Sequence, residues 1–220
     1  MARTSGTDTR VKLLRAAEEL FAAQGIHGAQ IRDIVRLAGQ SNPSAVQYHF
    51  GSRAGLLDAV TAGRQERAEQ VLAPLLAELD EDAGVRELLT VLVTSEAGLL
   101  ADDRGRRCLR VSAQLSHETG LRTGVPHPAL DATAYGRLTA RIGERLEALP
   151  RPVRLERLDL ALTLIGAALA DRARQYLDGT EPLTGEELFR ADLVETTTAF
   201  LHAPTPAPVP AQKDSAMRTA

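Results

Sequence analysis

The sequence predicts an all-α protein, with an N-terminal three-helix domain containing a helix-turn-helix over residues 1–52, a larger helical domain over 53–202, and a disordered tail at 203–220. Three observations carry this. Apolar residues recur at a helical period almost throughout, with no sustained alternation that would mark a strand. Two short apolar stretches near the N-terminus flank a polar turn of helix-turn-helix length. The segment APTPAPVPAQKDSAMRTA, at 203–220, is rich in Pro and Ala and too poor in apolar bulk to pack.

The elements follow in order. Residues 9–24 place Leu13, Leu14, Ala17, Leu20 and Phe21 on one face, with Thr9 as N-cap and Gly25 as the stop. A second helix over 30–38 would bury Ile31, Ile34, Val35 and Ala38 and end at Gly39. Gln40-Ser41-Asn42 is a polar turn, and Pro43 suits the first turn of a third helix, where its missing N–H costs little. That helix would run to Phe50, with Val46 and Phe50 facing inward. Gly51 breaks it and Ser52 caps a fourth, 52–72, whose Leu56, Leu57 and Val60 start a bridge into the larger domain. Beyond Pro74, amphipathic helices are expected at 84–100, 104–117, 128–149, 152–178 and 184–202, with a loop at Thr119–Pro128 and a Thr184/Glu187 capping box.

The net charge of −3 is unevenly spread. Residues 1–55 hold seven basic and four acidic residues, whereas 56–202 hold 17 arginines against 24 carboxylates. A basic module on an acidic body points to polyanion binding at one end. No apolar run reaches the 18 or so residues of a membrane span. The N-terminal MARTSGTDTR lacks the apolar region of a secretory signal, and Cys108 is the sole cysteine, so a reducing cytoplasm is expected. Arginines around Cys108 would favour a thiolate, but a small apolar helix residue is the expected role. His117, His127 and His202 lack ligand spacing, so neither a metal nor a cofactor is expected. Arg104, Arg106, Arg107 and Arg110 read as a solvated helix face. There is no Gly-rich phosphate loop, G-x-S-x-G elbow or H-E-x-x-H, so catalysis is not expected.

A helix-turn-helix presents its second helix to the major groove of DNA. With Val46 and Phe50 inward, Ser44, Ala45, Gln47, Tyr48 and His49 face outward. Gln47 can pair with adenine and Ala45 can touch a thymine methyl. Ser44, Tyr48 and His49 can bond phosphate oxygens, Arg53 is placed for another phosphate, and Ser41 and Asn42 in the turn complete the candidate set.

Residues 10–60 resemble the N-terminal domain of TetR-type transcriptional regulators. The resemblance rests on Ala16-Ala17 with Leu20-Phe21, Gly25, Asp33-Ile34, Ala38-Gly39, Tyr48-His49-Phe50, and Arg53 followed by Leu56-Leu57. Two features depart from the pattern: Ala29 stands where a capping Thr is usual, and the turn before Tyr48 is one residue longer than in many members. The resemblance implies a ligand-responsive regulator, in all expectation a repressor, binding a near-palindromic double-stranded operator as a homodimer. It implies a small apolar or amphipathic effector between helices of the larger domain, for which Leu89, Val93, Leu100, Val111, Leu115, Tyr135, Leu138 and Ile142 are candidates. It implies a dimer seam on the last two helices, with Leu162, Ile165, Gly166, Leu169, Leu193 and Phe200 as candidates. The alternative is a helical small-molecule-binding or adaptor protein that has lost DNA binding.

Overall fold

The computed structural model describes residues 6–115 and 132–205. Over these residues the chain forms nine α-helices and one 3-10 turn, and no strand. The expected loop at Thr119–Pro128, with His117 and His127, and the tail from residue 206 lie outside the described residues.

The first helix, α1 (Gly6–Gln24), starts before Thr9, which therefore lies inside it and is not its cap. Asp8 favours the positive end of the helix and pairs with Lys12 one turn on, at 2.8 Å, so the helix has support upstream of the expected start. Next come α2 (Ile31–Leu37), α3 (Ser44–Phe50) and α4 (Arg53–Ala77). Gly39 adopts φ +68°, which only glycine reaches without strain, and this turns the chain out of α2. Its N–H then bonds Arg36 O at 3.0 Å and the Gln40 N–H bonds Val35 O at 3.0 Å, which satisfies the last carbonyls of α2. Ser52 caps α4 as expected, its Oγ accepting the Gly55 N–H at 2.9 Å. Leu13, Ala17, Phe21, Ile34, Val35 and Val46 form the first core, closed from below by Leu56 and Val60 of α4.

The fourth helix runs through Pro74 and ends five residues past the expected boundary. A proline removes one helical hydrogen bond. Leu72 and Leu76, on either side of it, are buried in the second core and hold the helix together. That core is completed by α5 (Val85–Ala97), the 3-10 turn at 98–101, α6 (Asp103–Leu115), α7 (Ala134–Arg145), α8 (Arg151–Leu177) and α9 (Glu186–Leu201). Leu88, Leu92, Leu138, Ile142 and Leu169 are almost completely removed from solvent. Each such side chain contributes about 1.5–3 kcal/mol.

The Thr184/Glu187 capping box does not form. The N-cap of α9 is Gly185 with no side-chain cap. Thr184 is engaged by Arg172 instead, through its carbonyl at 2.7 Å and its hydroxyl at 3.0 Å. Arg172 is buried and lies 4.1 Å over the Phe189 ring, so its guanidinium needs those acceptors. Among the described residues, no helix is long and apolar enough to cross a membrane.

Candidate nucleic-acid interface

The candidate reader is α3, seven residues long, with Val46 as its one fully buried side chain. Asn42 starts it by accepting the Ser44 N–H on Oδ1 at 2.9 Å. Asn42 Oδ1 is thus engaged locally at the start of this helix, while its side chain remains exposed. Ser41, Ser44, Gln47 and Tyr48 are solvent-facing, Tyr48 at 83% exposure. His49 is half-buried, with its ring edge-on to Tyr48 at 4.8 Å. Ala45 is not an outward residue. It packs against the first core beside Val46, because a helix this short must use two neighbouring positions to seat itself.

Arg53 corrects a second expectation. Its guanidinium turns into the domain, where Nη2 donates to the carbonyls of Ile26 and, at 3.1 Å, Ala29. The group also lies 5.4 Å over the Phe21 ring. The connection between α1 and α2 leaves carbonyls that no helix satisfies, and a cation at the start of α4 meets them. Arg53→Ala is therefore expected to lower stability by about 1.5–3 kcal/mol, before any effect on DNA. Urea unfolding measures this; an unchanged midpoint would return Arg53 to the phosphate role. The exposed cations around the reader are others. Arg10 of α1 stands 5.0 Å over the Phe50 ring, and Arg32 and Arg36 of α2 are more than three-quarters exposed. Arg32 and Arg36 are four apart, on one helix face, and that spacing was readable in the sequence.

Ala29 is buried, and the N-cap of α2 is Gln30, with no side-chain cap. The cap position of α2 is therefore residue 30, one beyond the Ala29 expected from the sequence.

The N-terminal domain is fastened to the second domain through α6. Val111 and Leu115, expected in the effector site, pack instead into the first core. A helix that touches two cores offers both the same apolar period, so its sequence does not say which residue serves which. Leu89, Val93, Leu100, Leu138 and Ile142 are buried in the second core, with Tyr135 packed against it. Arg104 of α6 donates through Nε and Nη2 to the buried carboxylate of Glu18 of α1, at 2.9 and 2.7 Å. Gln114 accepts the Ile26 N–H at 2.8 Å and donates to Phe21 O at 3.3 Å. Arg104, Arg106 and Arg107 of α6 are therefore engaged with neighbouring groups rather than forming a solvated face. Arg106 pairs with Asp103 at 2.8 Å and lies 5.0 Å over Tyr176, while Arg107 stands 4.0 Å from Glu19. The role of Glu18 was missed, although a carboxylate inside the apolar stripe of α1 is a signal that a partner must exist. Cys108 lies under this network. Burial, helped by the Glu18 carboxylate, pushes its thiol up to about 11, so it is a packing residue rather than a reactive one.

The proposed dimer residues also need correction. Ile165, Leu169 and Leu193 are buried in the protomer's own core, and Leu162 and Phe200 pack against it. Gly166 is half-buried with open space beside it. The apolar side chains left on the surface of α8 are Leu160 and Leu164, at 47% and 40% exposure, and Leu188 of α9 reaches 60%.

Residues 13–60 match the family described as bacterial regulatory proteins, tetR family. The chain is 30% identical over 109 residues to the HTH-type transcriptional regulator UidR of Escherichia coli, covering 50% of this chain and 52% of UidR. It is 38% identical over 77 residues to the HTH-type transcriptional regulator SrpR of Pseudomonas putida, covering 34% of this chain and 36% of SrpR. It thus spans about half, or less, of these relatives' length. The solved structure of NalD, the secondary repressor of the MexAB-OprM multidrug efflux pump in Pseudomonas aeruginosa, superposes with a TM-score of 0.56 at 22% identity over 90% of this chain and 98% of that one. The fatty acid degradation regulator FadR of Bacillus halodurans gives a TM-score of 0.53 at 16% identity, over 88% and 95%. These two likenesses speak to the fold.

Proposed function

We propose that this chain, which belongs through residues 13–60 to the tetR family of bacterial regulatory proteins, is a cytoplasmic, homodimeric repressor that binds a near-palindromic operator and responds to a small molecule. The observation that carries the reading is α3 itself. Val46 is buried while Ser44, Gln47 and Tyr48 stand in solvent on one short helix after a capped turn. Such a helix is shaped for a major groove, where Gln47 can bond adenine N6 and N7 and Tyr48 can reach a phosphate. Arg10, Arg32 and Arg36 supply the surrounding cationic charge.

A duplex-reading homodimer needs its two copies of α3 about 34–36 Å apart, or a multiple of it, along one face of the DNA. An isologous interface along Leu160, Leu164 and Leu188 would set that spacing and make the operator as symmetric as the protein. The effector acts by preferring a state whose readers no longer match the grooves, and DNA then weakens effector binding by the same factor. The polar and apolar interior between α4, α5 and α7 supports this part of the reading, with α4 and α6 each reaching both cores.

The test is selection of duplexes from a random pool at about 150 mM salt, where non-specific binding is weakened. Enrichment of a near-palindrome supports the reading. No enrichment, with or without a broad metabolite mixture, favours the adaptor alternative, towards which the uncapped start of α2 leans. On the selected operator, Gln47→Ala should cost about 1–3 kcal/mol at one base position and leave the salt slope unchanged. A uniform loss across sequences would move Gln47 to the phosphate contacts.

A further inference from the structure

The exposed side of α2 carries a carboxylate between two cations. Asp33 sits in the first turn, its backbone N–H bonded to Gln30 O at 3.0 Å, and only 19% of its side chain is exposed. Its Oδ1 stands 3.0 Å from Arg36 Nη2 and 3.7 Å from Arg32 Nε. The side chains of Arg36 and Arg32 are 81% and 76% exposed. Ile34, Val35 and Ala38 of the same stretch are buried in the first core, so the two arginines, one helical turn apart, point away from it together. Asp33 is the fixed point of this trio and the arginines are its free arms.

Two ordinary roles do not cover all three residues. A carboxylate in the first turn favours the positive end of a helix, and α2 has no side-chain cap at Gln30. That role needs Asp33 but not Arg32, a cation at the same, unfavourable end. Attraction of a polyanion needs the arginines, but Asp33 subtracts from it and leaves the trio with one net positive charge instead of two. Arg10 makes the contrast: the Phe50 ring 5.0 Å beneath it orients the cation without cancelling its charge. A carboxylate that holds both cations of α2 lowers the general attraction and fixes the direction in which they point.

We infer that Asp33 is a positioning residue for operator recognition: it aims Arg32 and Arg36 at backbone phosphates beside the groove that α3 enters, and so raises the ratio of specific to non-specific binding. This rests on the operator-binding reading above. The first helix of a helix-turn-helix crosses the DNA backbone, so the exposed cations of α2 meet phosphates when α3 lies in the groove. A guanidinium has five N–H donors. With Nη2 turned to Asp33, Arg36 keeps Nε and Nη1, and Arg32 keeps the outer fork of Nη1 and Nη2 for a phosphate. A side chain already held in place gives up less freedom on binding. That gain is realised only where phosphates stand at the distance set by a correctly seated α3, whereas the repulsion from Asp33 acts on every duplex.

Anisotropy titrations of the full chain on the selected operator and on a scrambled duplex of equal length, over a salt series, test it. Asp33→Asn is expected to bind the scrambled duplex more tightly and the operator more weakly, so that the ratio of the two affinities falls about tenfold. Arg32→Ala/Arg36→Ala should reduce the salt slope on the operator by about two units, one for each lost phosphate. On that background Asp33→Asn should leave the ratio unchanged, because no arm remains to be aimed. If Asp33→Asn tightens both duplexes alike, the carboxylate is a bare repulsive charge; if the ratio falls even without the arginines, it is a support of α2. Either result, or an unchanged ratio, overturns the assignment. Should Asp33→Asn not fold, Asp33→Glu decides. It keeps the charge but moves the carboxylate outward, so the ratio should fall with scrambled binding unchanged, and an unaltered ratio overturns the assignment. An operator whose affinity ignores Asp33 sinks only this inference, whereas enrichment of no duplex sinks the repressor reading and this inference with it.

Discussion

Replacing Arg104 with alanine is expected to destabilise the chain by about 3–5 kcal/mol, the usual consequence of stranding a buried charge. For a chain of this size that is a fall in Tm on the order of 10 °C. Glu18 is 2% exposed, and Arg104 meets it with two donors of one guanidinium. Without the arginine, a carboxylate inside the first core has lost its charged partner and cannot reach water. The double variant Glu18→Leu/Arg104→Leu removes both charges and should recover most of the loss, because the penalty lies in the unpaired charge rather than in the absence of the bridge. Thermal unfolding of the parent, both single variants and the double variant closes the cycle. If the single variants melt like the parent, the pair does not fasten α1 to α6. On the proposed function, the double variant should also show weaker coupling between effector and operator binding, measured as the change in operator affinity at saturating effector, since the polar fastening between α1 and α6 would be left to Gln114 and the longer Arg107–Glu19 pair.

If the chain is the homodimeric operator-binding protein proposed above, Leu164→Glu is expected to yield a monomer and to lower operator affinity at least about 100-fold, or 2.7 kcal/mol. In an isologous seam each substitution appears twice across the two-fold axis, and two carboxylates then face each other on what was an apolar surface. Leu164 is 40% exposed in the protomer, so the protomer's own core should tolerate the change. Leu183→Glu serves as the control. That leucine is fully exposed in the connection between α8 and α9 and should leave both oligomeric state and affinity unaltered. Sedimentation reads the first quantity and titration of the selected duplex the second. A Leu164→Glu protein that remained dimeric would move the seam away from α8. The substitutions suggested by the sequence would have misled here, because Ile165→Glu or Leu169→Glu would unfold the protomer and mimic loss of the dimer.

The sequence by itself determined the all-helical class, the order of the helices, the cap at Ser52, the stop at Gly39 and the face of α3 that carries Ser44, Gln47 and Tyr48. These are local properties. A period of 3.6, a hydroxyl before a helix and a glycine after one act within a few residues, and neighbours in the chain express them whatever lies beyond. What only the tertiary structure decided is where each apolar or charged side chain spends its contacts. Arg53 sits where a phosphate contact was expected, yet its acceptors are carbonyls 24 and 27 residues away. Val111 and Leu115 share the apolar stripe of α6 with Leu109, but they enter the first core while Leu109 enters the second. Ile165 and Leu164 are adjacent, and only the packing of α8 against its neighbours buries one and exposes the other. The pairing of Glu96 with Arg64, and of Glu18 with Arg104, spans 32 and 86 residues. A charge in an apolar stripe announces that a partner is needed, but its identity depends on which helices meet, and that is settled by the packing of the whole chain.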